Sequence, residues 1–237
     1  AITRAQRDSL SALPITLNYR PVSHNDGQAT YFREMLRQVM NAEPPRRRNF
    51  YTDWDYQQAV EEYENNPLYG WCRKNTKADG TPYNIYKDGL KIYTTINSTM
   101  QQYAEDAMLK QLRTVIQPKM DAQYRATKVL FQNTSAEERE RIIRQAMRYS
   151  DRYRALKEEG RSEAEIDRIF RTPCPTRVFT YRGERDTVLS PRDSILHHKR
   201  IMRAGFVAIE PQTGRVKAYV GGPNFRYFKY DMAKQGK

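Results

Sequence analysis

The sequence predicts an α+β fold in which a strand and several helices precede the beginning of an antiparallel sheet. Apolar residues recur at helical spacing in several segments, and they alternate with polar residues only in short segments near the middle and the C-terminal end. Hydrophobic residues make up 38% of the 237 residues, and 17 Tyr outnumber 8 Phe and 2 Trp. The mean hydropathy is −0.91. These values favour small cores with tyrosine edges and exclude one large barrel or doubly wound sheet.

The first part of the chain, residues 1–88, is predicted to be helical and irregular. Its clearest helix is Ala29–Asn41, where Phe32, Leu36 and Val39 fall on one face. The other expected elements are a short helix over Thr3–Ala12 that stops before Pro14, an irregular connection over Asn18–Gly27, a helix capped by Asp53 that runs to about Tyr63, and a loop with at most one short strand over Leu68–Asp88.

A strand, a tight turn and an amphipathic helix are predicted next. Apolar and polar residues alternate over Leu90–Ile96, which is typical of a half-buried strand. Ser98 and Gln101 have the spacing of a capping box. The apolar stripe that follows predicts a helix ending at Pro118, because proline lacks the N–H that a helix interior needs.

A helical hairpin of low hydrophobicity is predicted over the segment that follows. Ser135 with Glu138 and Ser162 with Glu165 are two further capping boxes. The first helix is expected to run to Gly160, and the second to end before Pro173.

The C-terminal third is predicted to contain three strands and a helix. Arg177–Tyr181 has strand character, and a helix begins at Ser190-Pro191 and runs to about Met202. A β-hairpin over Gly205–Val220 turns at Pro211-Gln212-Thr213-Gly214. An isolated hairpin is marginally stable, so we expect this one to form the edge of a larger sheet.

The charge of +13 favours polyanionic partners, but Arg and Glu are interleaved through Glu137–Arg171, which is typical of solvated helix faces. The compact basic run Arg46-Arg47-Arg48 is short and bounded by prolines. No apolar run is long enough for a membrane span, and no zinc-ligand spacing is present. Cys72 and Cys174 are the only cysteines. Whether they form a disulfide or stay free is left open by the sequence.

Several segments resemble class A penicillin-binding proteins, the bifunctional peptidoglycan synthases, in their Bacteroidetes form. The strongest resemblance is Gly205–Gly222, which is similar to the first hairpin of their transpeptidase domain. Asp88–Asn97 resembles the entry to their linker or pedestal region, and Leu13–Tyr19 resembles the segment that leaves the glycosyltransferase domain. Residues 125–172 resemble nothing that we can place, and we expect them to be a family-specific helical insert.

The resemblance implies three regions and no complete active site. Residues 1–88 would be the linker after the glycosyltransferase domain, 89–204 the pedestal with the insert, and 205–237 the truncated start of the transpeptidase domain. That chemistry needs the motifs S-x-x-K, S-x-N and K-T-G. The sequence contains neither the first nor the third, and Ser23-His24-Asn25 matches the second only formally. We therefore expect an excised piece that ends before the nucleophilic serine.

No catalytic, cofactor-binding or metal-binding residue is predicted in this chain. His197 and His198 are interpreted as a surface and a boundary histidine, and Glu61-Glu62 and Glu158-Glu159 as helix-face charges. We expect Tyr227, Phe228 and Tyr230 to pack under the missing sheet rather than to stack on a ligand. The resemblance implies an inner-membrane protein with this part on the periplasmic side. It also implies peptidoglycan and its lipid-linked precursor as partners, β-lactam binding at the missing serine, and wall-synthesis regulators.

Two alternatives remain beside this interpretation. The chain could be a basic module that binds a polyanion or a protein, although it has no nucleic-acid motif and no nucleic acid is expected. The helices of residues 125–172 could also be a docking surface for a regulator.

Overall fold

The computed structural model describes residues 2–13, 23–131 and 133–235, and its fold is α+β, as predicted. Two antiparallel pairs of strands form separate sheets: β1 (Cys174–Val178) with β2 (Arg185–Leu189), and β3 (Phe206–Ile209) with β4 (Val216–Val220). The helices are α1 (Arg4–Ser11), α2 (Thr30–Met40), α3 (Asp53–Asn65), α4 (Trp71–Lys74), α5 (Ser98–Gln111), α6 (Gln117–Thr127), α7 (Ala136–Arg148), α8 (Asp151–Glu158), α9 (Glu163–Arg171) and α10 (Pro191–Arg200), with a 3₁₀ turn over Arg47–Asn49 and a π turn over Leu112–Ile116.

The three longer N-terminal helices lie where the sequence predicts them. Thr3 begins α1 with a capping box. The cap of α3 is Thr52 rather than Asp53, because its hydroxyl accepts a hydrogen bond from the Asp55 N–H. The loop over Leu68–Asp88 contains α4 and one isolated bridge between Thr76 and Pro82. Most of Leu13–Tyr19, and the first half of Asn18–Gly27, lie outside the described residues.

The strand predicted over Leu90–Ile96 does not form. This segment has no regular secondary structure, and its hydrogen bonds to β4 lie at its C-terminal end. There the Thr95 hydroxyl donates to the Val216 carbonyl at 2.7 Å, and the Asn97 N–H donates to the Lys217 carbonyl at 2.9 Å. The alternating residues still have a common environment: a groove of about 460 Å³ beside α2 is lined by Leu90, Ile92, Thr94 and Ile96.

A continuous helix from Ser98 to Thr127, here called the long helix, replaces the predicted helix that ends at Pro118. Asn97 caps it by accepting from the Met100 N–H, so the capping box at Ser98 is wrong by one residue. The π turn over Leu112–Ile116 joins α5 to α6 immediately before the proline. A π turn widens the helix, which relieves the crowding between a proline ring and the preceding turn. The helix therefore continues past Pro118.

Helices α7, α9 and α10 enclose the largest hydrophobic core. Ile143, Met147, Ile166 and Phe170 are buried there, and each contributes about 1.5–3 kcal/mol by leaving water. The single helix predicted to run to Gly160 is broken into α7 and α8. The break occurs because the Ser150 hydroxyl caps a new helix by accepting from the Tyr153 N–H.

The strand predicted at Arg177–Tyr181 lies earlier in the chain, at Cys174–Val178, and its partner β2 was not predicted. Ser190 caps α10 with Pro191 at the first helical position, as expected. Cys72 and Cys174 are both free thiols, so the disulfide that the sequence left open does not form.

The C-terminal hairpin is confirmed as β3 and β4, with a bulge between Ala208 and Ile209. It does not join the β1–β2 sheet, so the described residues contain two small sheets and no larger one. In the same part of the chain, no helix combines the length and the apolar character of a membrane span.

Candidate functional site

The long helix holds β4 through a buried glutamine. The side chain of Gln101 is fully buried. Its Nε2 donates to the Tyr219 carbonyl at 2.9 Å, and its Oε1 accepts from the Tyr219 N–H at 2.7 Å. A side-chain amide thus satisfies both main-chain groups of one strand residue, as a neighbouring strand would. The position of β4 is therefore tied to α5.

A second glutamine of the long helix holds the chain that leaves α10. Gln117 is 7% exposed. Its Nε2 donates to the Arg200 carbonyl at 3.2 Å, and its Oε1 accepts from the Met202 N–H at 2.9 Å. One continuous helix therefore fixes both the segment just before β3 and the strand β4.

Two glycines let α2 pack closely against the end of β4. A Cβ at Gly221 would lie 2.6 Å from the Tyr31 Cγ, and a Cβ at Gly222 would lie 2.8 Å from the Tyr31 Cζ. Both distances are shorter than van der Waals contact. The Tyr31 ring occupies this space, and its hydroxyl donates to the Phe228 carbonyl at 2.6 Å. Burial raises the pKa of Tyr31 above its ordinary value, because it disfavours the charged form of the phenol.

The segment after β4, residues 224–235, connects two small cores. Phe225 packs with Tyr31 and Tyr219, and Phe228 packs with Phe179 and Ile201. Phe228 is thus a packing residue, but it packs against Phe179 and Ile201 rather than under a further sheet, since the described residues contain no larger sheet. Tyr227 also contributes, whereas Tyr230 is 44% exposed.

The two adjacent histidines bind the main chain at the end of β1. The Nε2 atom of His197 lies 2.7 Å from the Phe179 carbonyl, and the Nε2 atom of His198 accepts from the Phe179 N–H at 3.4 Å. His198 Nδ1 lies 2.8 Å from the Ser194 carbonyl, so a proton on Nδ1 satisfies both contacts. Burial lowers the pKa of His198 below its ordinary value. Both side chains are half-buried, which is expected for the boundary histidine but not for the surface one.

Gln101, Gln117, Tyr31, Phe228 and His198, with the main-chain groups that they contact, are here called the joint. The carboxylate pairs and the basic run that the sequence singled out are not part of it. Glu61-Glu62 and Glu158-Glu159 are exposed. In the basic run, Arg46 pairs with Glu43 and Arg47 with Asp53, which reduces its net charge. Ser23-His24-Asn25 forms a turn in which the Asn25 N–H donates to the Ser23 hydroxyl.

The polar side chains of the joint mostly bind main-chain groups. Within the described ranges, no group of three His, Cys, Asp or Glu side chains could hold a metal ion. Sequence reasoning assigned Gln101 to a cap and did not single out Gln117, because nothing in the local pattern marks either one as buried.

Comparison with known proteins places a family match on one part of the chain. Residues 126–202 match the penicillin-binding protein middle domain. The match runs from the end of the long helix to Met202, and it includes nearly all of residues 125–172, which the sequence analysis could not place. No curated protein and no solved structure matches the chain.

Proposed function

We propose that this chain is the non-catalytic inter-domain and pedestal part of a class A penicillin-binding protein of the Bacteroidetes type. Residues 1–88 form the linker, 89–204 the pedestal and 205–237 the first hairpin of the transpeptidase domain. The parent protein polymerises glycan and cross-links stem peptides at the periplasmic side of the inner membrane. This part sets the distance and orientation between its two catalytic domains.

The observation that carries the proposal is that the long helix binds both the end of the matched segment and the hairpin that follows it. The matched middle domain ends at Met202, which Gln117 binds, and the hairpin that follows is bound through Gln101. Each glutamine satisfies two main-chain groups, and each such group would cost about 1–3 kcal/mol if left buried without a partner. The hairpin is therefore held firmly relative to the middle domain.

The missing motifs support a non-catalytic role for this piece. Neither S-x-x-K nor K-T-G occurs in the sequence. The serine that attacks a D-Ala-D-Ala carbonyl needs a nearby lysine to assist its deprotonation. No cofactor is required for this chemistry.

Acylation by a fluorescent penicillin tests the assignment. We expect no covalent label on the 237-residue chain, and a label on a version extended along the parent gene past Lys237. The matched control is the extended chain with its S-x-x-K serine replaced by alanine, which should not be labelled. Labelling of the 237-residue chain, or an unlabelled folded extended chain, would contradict the proposal.

A second experiment tests the positioning role in the full-length parent protein. The double variant Gln101→Ala/Gln117→Ala should polymerise glycan at the normal rate and form several-fold fewer cross-links. The matched control is Gln111→Ala, an exposed glutamine of the same helix. Unchanged cross-linking in the double variant would show that this joint does not orient the domains.

A further inference from the structure

A second feature of the long helix is a cleft rich in arginine. The cleft has a volume of about 790 Å³ and lies between the π turn with α6, the turn that joins β1 to β2, and the C-terminal end of α10. Its lining includes Arg113, Arg125, Arg182, Arg185 and Arg200. We call these residues the arginine cleft.

The carboxylates of the cleft do not neutralise it. Asp121 pairs with Arg200 at 3.4 Å, and Glu184 pairs with Arg226 at 3.3 Å and with Arg177 at 3.8 Å. Arg226 and Arg177 lie outside the cleft lining.

Four guanidinium groups therefore remain without a carboxylate partner in the part of the chain that the structure describes. Like charges in one concave site repel one another and focus a positive potential into it. The unpaired arginines are Arg113, Arg125, Arg182 and Arg185.

The fifth arginine of the cleft, Arg200, packs on an aromatic ring. The Arg200 guanidinium lies 3.8 Å from the centre of the Tyr124 ring, a cation–π contact. Its Nε atom is buried and has no hydrogen-bond partner among the described residues. Buried polar atoms normally have a partner, so this atom is an exception within the described residues.

The cleft suits carboxylates of an extended chain better than a compact phosphate. Compact phosphate sites use converging main-chain N–H groups. Here the Arg182 and Gly183 N–H groups already bind Thr180, and α10 presents its C-terminal end. The cations instead sit on long side chains along separate walls, and Arg forks pair well with carboxylates. Pro118, Tyr181 and Ile201 add apolar surface to the lining.

We propose that the arginine cleft binds an Asp- and Glu-rich segment of a partner protein. This inference is independent of the function proposed above, because it rests only on the charge and shape of the cleft. The partner is defined here by its chemistry: an acidic, extended stretch of polypeptide.

Fluorescence anisotropy with a labelled octaglutamate peptide tests the proposal. The cleft variant is Arg182→Glu/Arg185→Glu, which reverses two exposed charges. The matched control is Arg144→Glu/Arg152→Glu, two exposed arginines on α7 and α8 that change the net charge equally. Circular dichroism of both variants verifies that they fold.

The cleft variant should bind the peptide at least about tenfold more weakly, since two charge-assisted contacts are lost. The control should change the affinity by less than about threefold, as expected for charges outside the site. Equal losses in both variants would overturn the proposal, because the peptide would then respond only to net charge. Failure of the unmodified chain to bind would overturn it too, as would tighter cleft-dependent binding of short polyphosphate than of the peptide.

Discussion

Replacing Gln101 by alanine removes both hydrogen bonds that hold β4 to the long helix. The Tyr219 N–H and carbonyl, at 2.7 and 2.9 Å from the glutamine, then have no partner from this residue, and the site is fully buried. Each orphaned buried group costs about 1–3 kcal/mol. The higher helix propensity of alanine returns less than about 0.7 kcal/mol. We expect the free energy of unfolding to fall by about 1.3–6 kcal/mol.

Urea denaturation of the 237-residue chain, followed by circular dichroism, measures this change. The control is Gln111→Ala, on the exposed face of the same helix, where we expect a change within about 0.5 kcal/mol. If Gln101→Ala is no more destabilising than Gln111→Ala, the reasoning about the buried amide is refuted.

Three further predictions concern the joint and the cysteines. Gly222→Ala should destabilise the fold by about 1–3 kcal/mol in urea, because the new methyl group meets the Tyr31 ring. Adding Tyr31→Phe should recover part of this loss, and strict additivity of the two changes would contradict the contact. The folded state disfavours the charged form of His198, so the contribution of His198 to the free energy of unfolding should be fully present above the ordinary histidine pKa of about 6.5 and decrease as the pH falls below it. The variant His198→Gln should flatten this pH profile, and an unchanged slope would assign the pH dependence to other groups. Maleimide should label Cys174 faster than Cys72, which is 1% exposed and whose pKa is raised by burial, and equal native rates would contradict that burial.

Local patterns predicted most of the helices and the C-terminal hairpin. The sequence located elements such as α2, α9 and β4. These elements carry apolar residues at a regular spacing, or a capping residue that lies close in sequence to the main-chain N–H that it binds. The strand β2 was missed because its five residues, Arg-Asp-Thr-Val-Leu, do not alternate in polarity. The segment Leu90–Ile96 does alternate, but a ladder also needs a partner strand in register, which no local pattern supplies.

The joint could not be predicted from the sequence for a related reason. Gln101 binds a residue 118 positions away, and Gln117 binds one 85 positions away. Nothing near either glutamine in the sequence distinguishes it from exposed Gln111 on the same helix. Burial of a polar side chain depends on which distant main-chain groups arrive beside it, and that information appears only when the fold is assembled.

The π turn over Leu112–Ile116 sets the angular phase between the two glutamines. Sixteen residues of ideal α-helix would point Gln101 and Gln117 about 160° apart, toward opposite sides. One extra residue in a widened turn rotates everything beyond it back by about 100°, which leaves the two side chains about 60° apart. The π turn therefore brings the two glutamine side chains toward the same side of the helix. In a helix without it, one of the two amides would point away from the main-chain groups that it now binds.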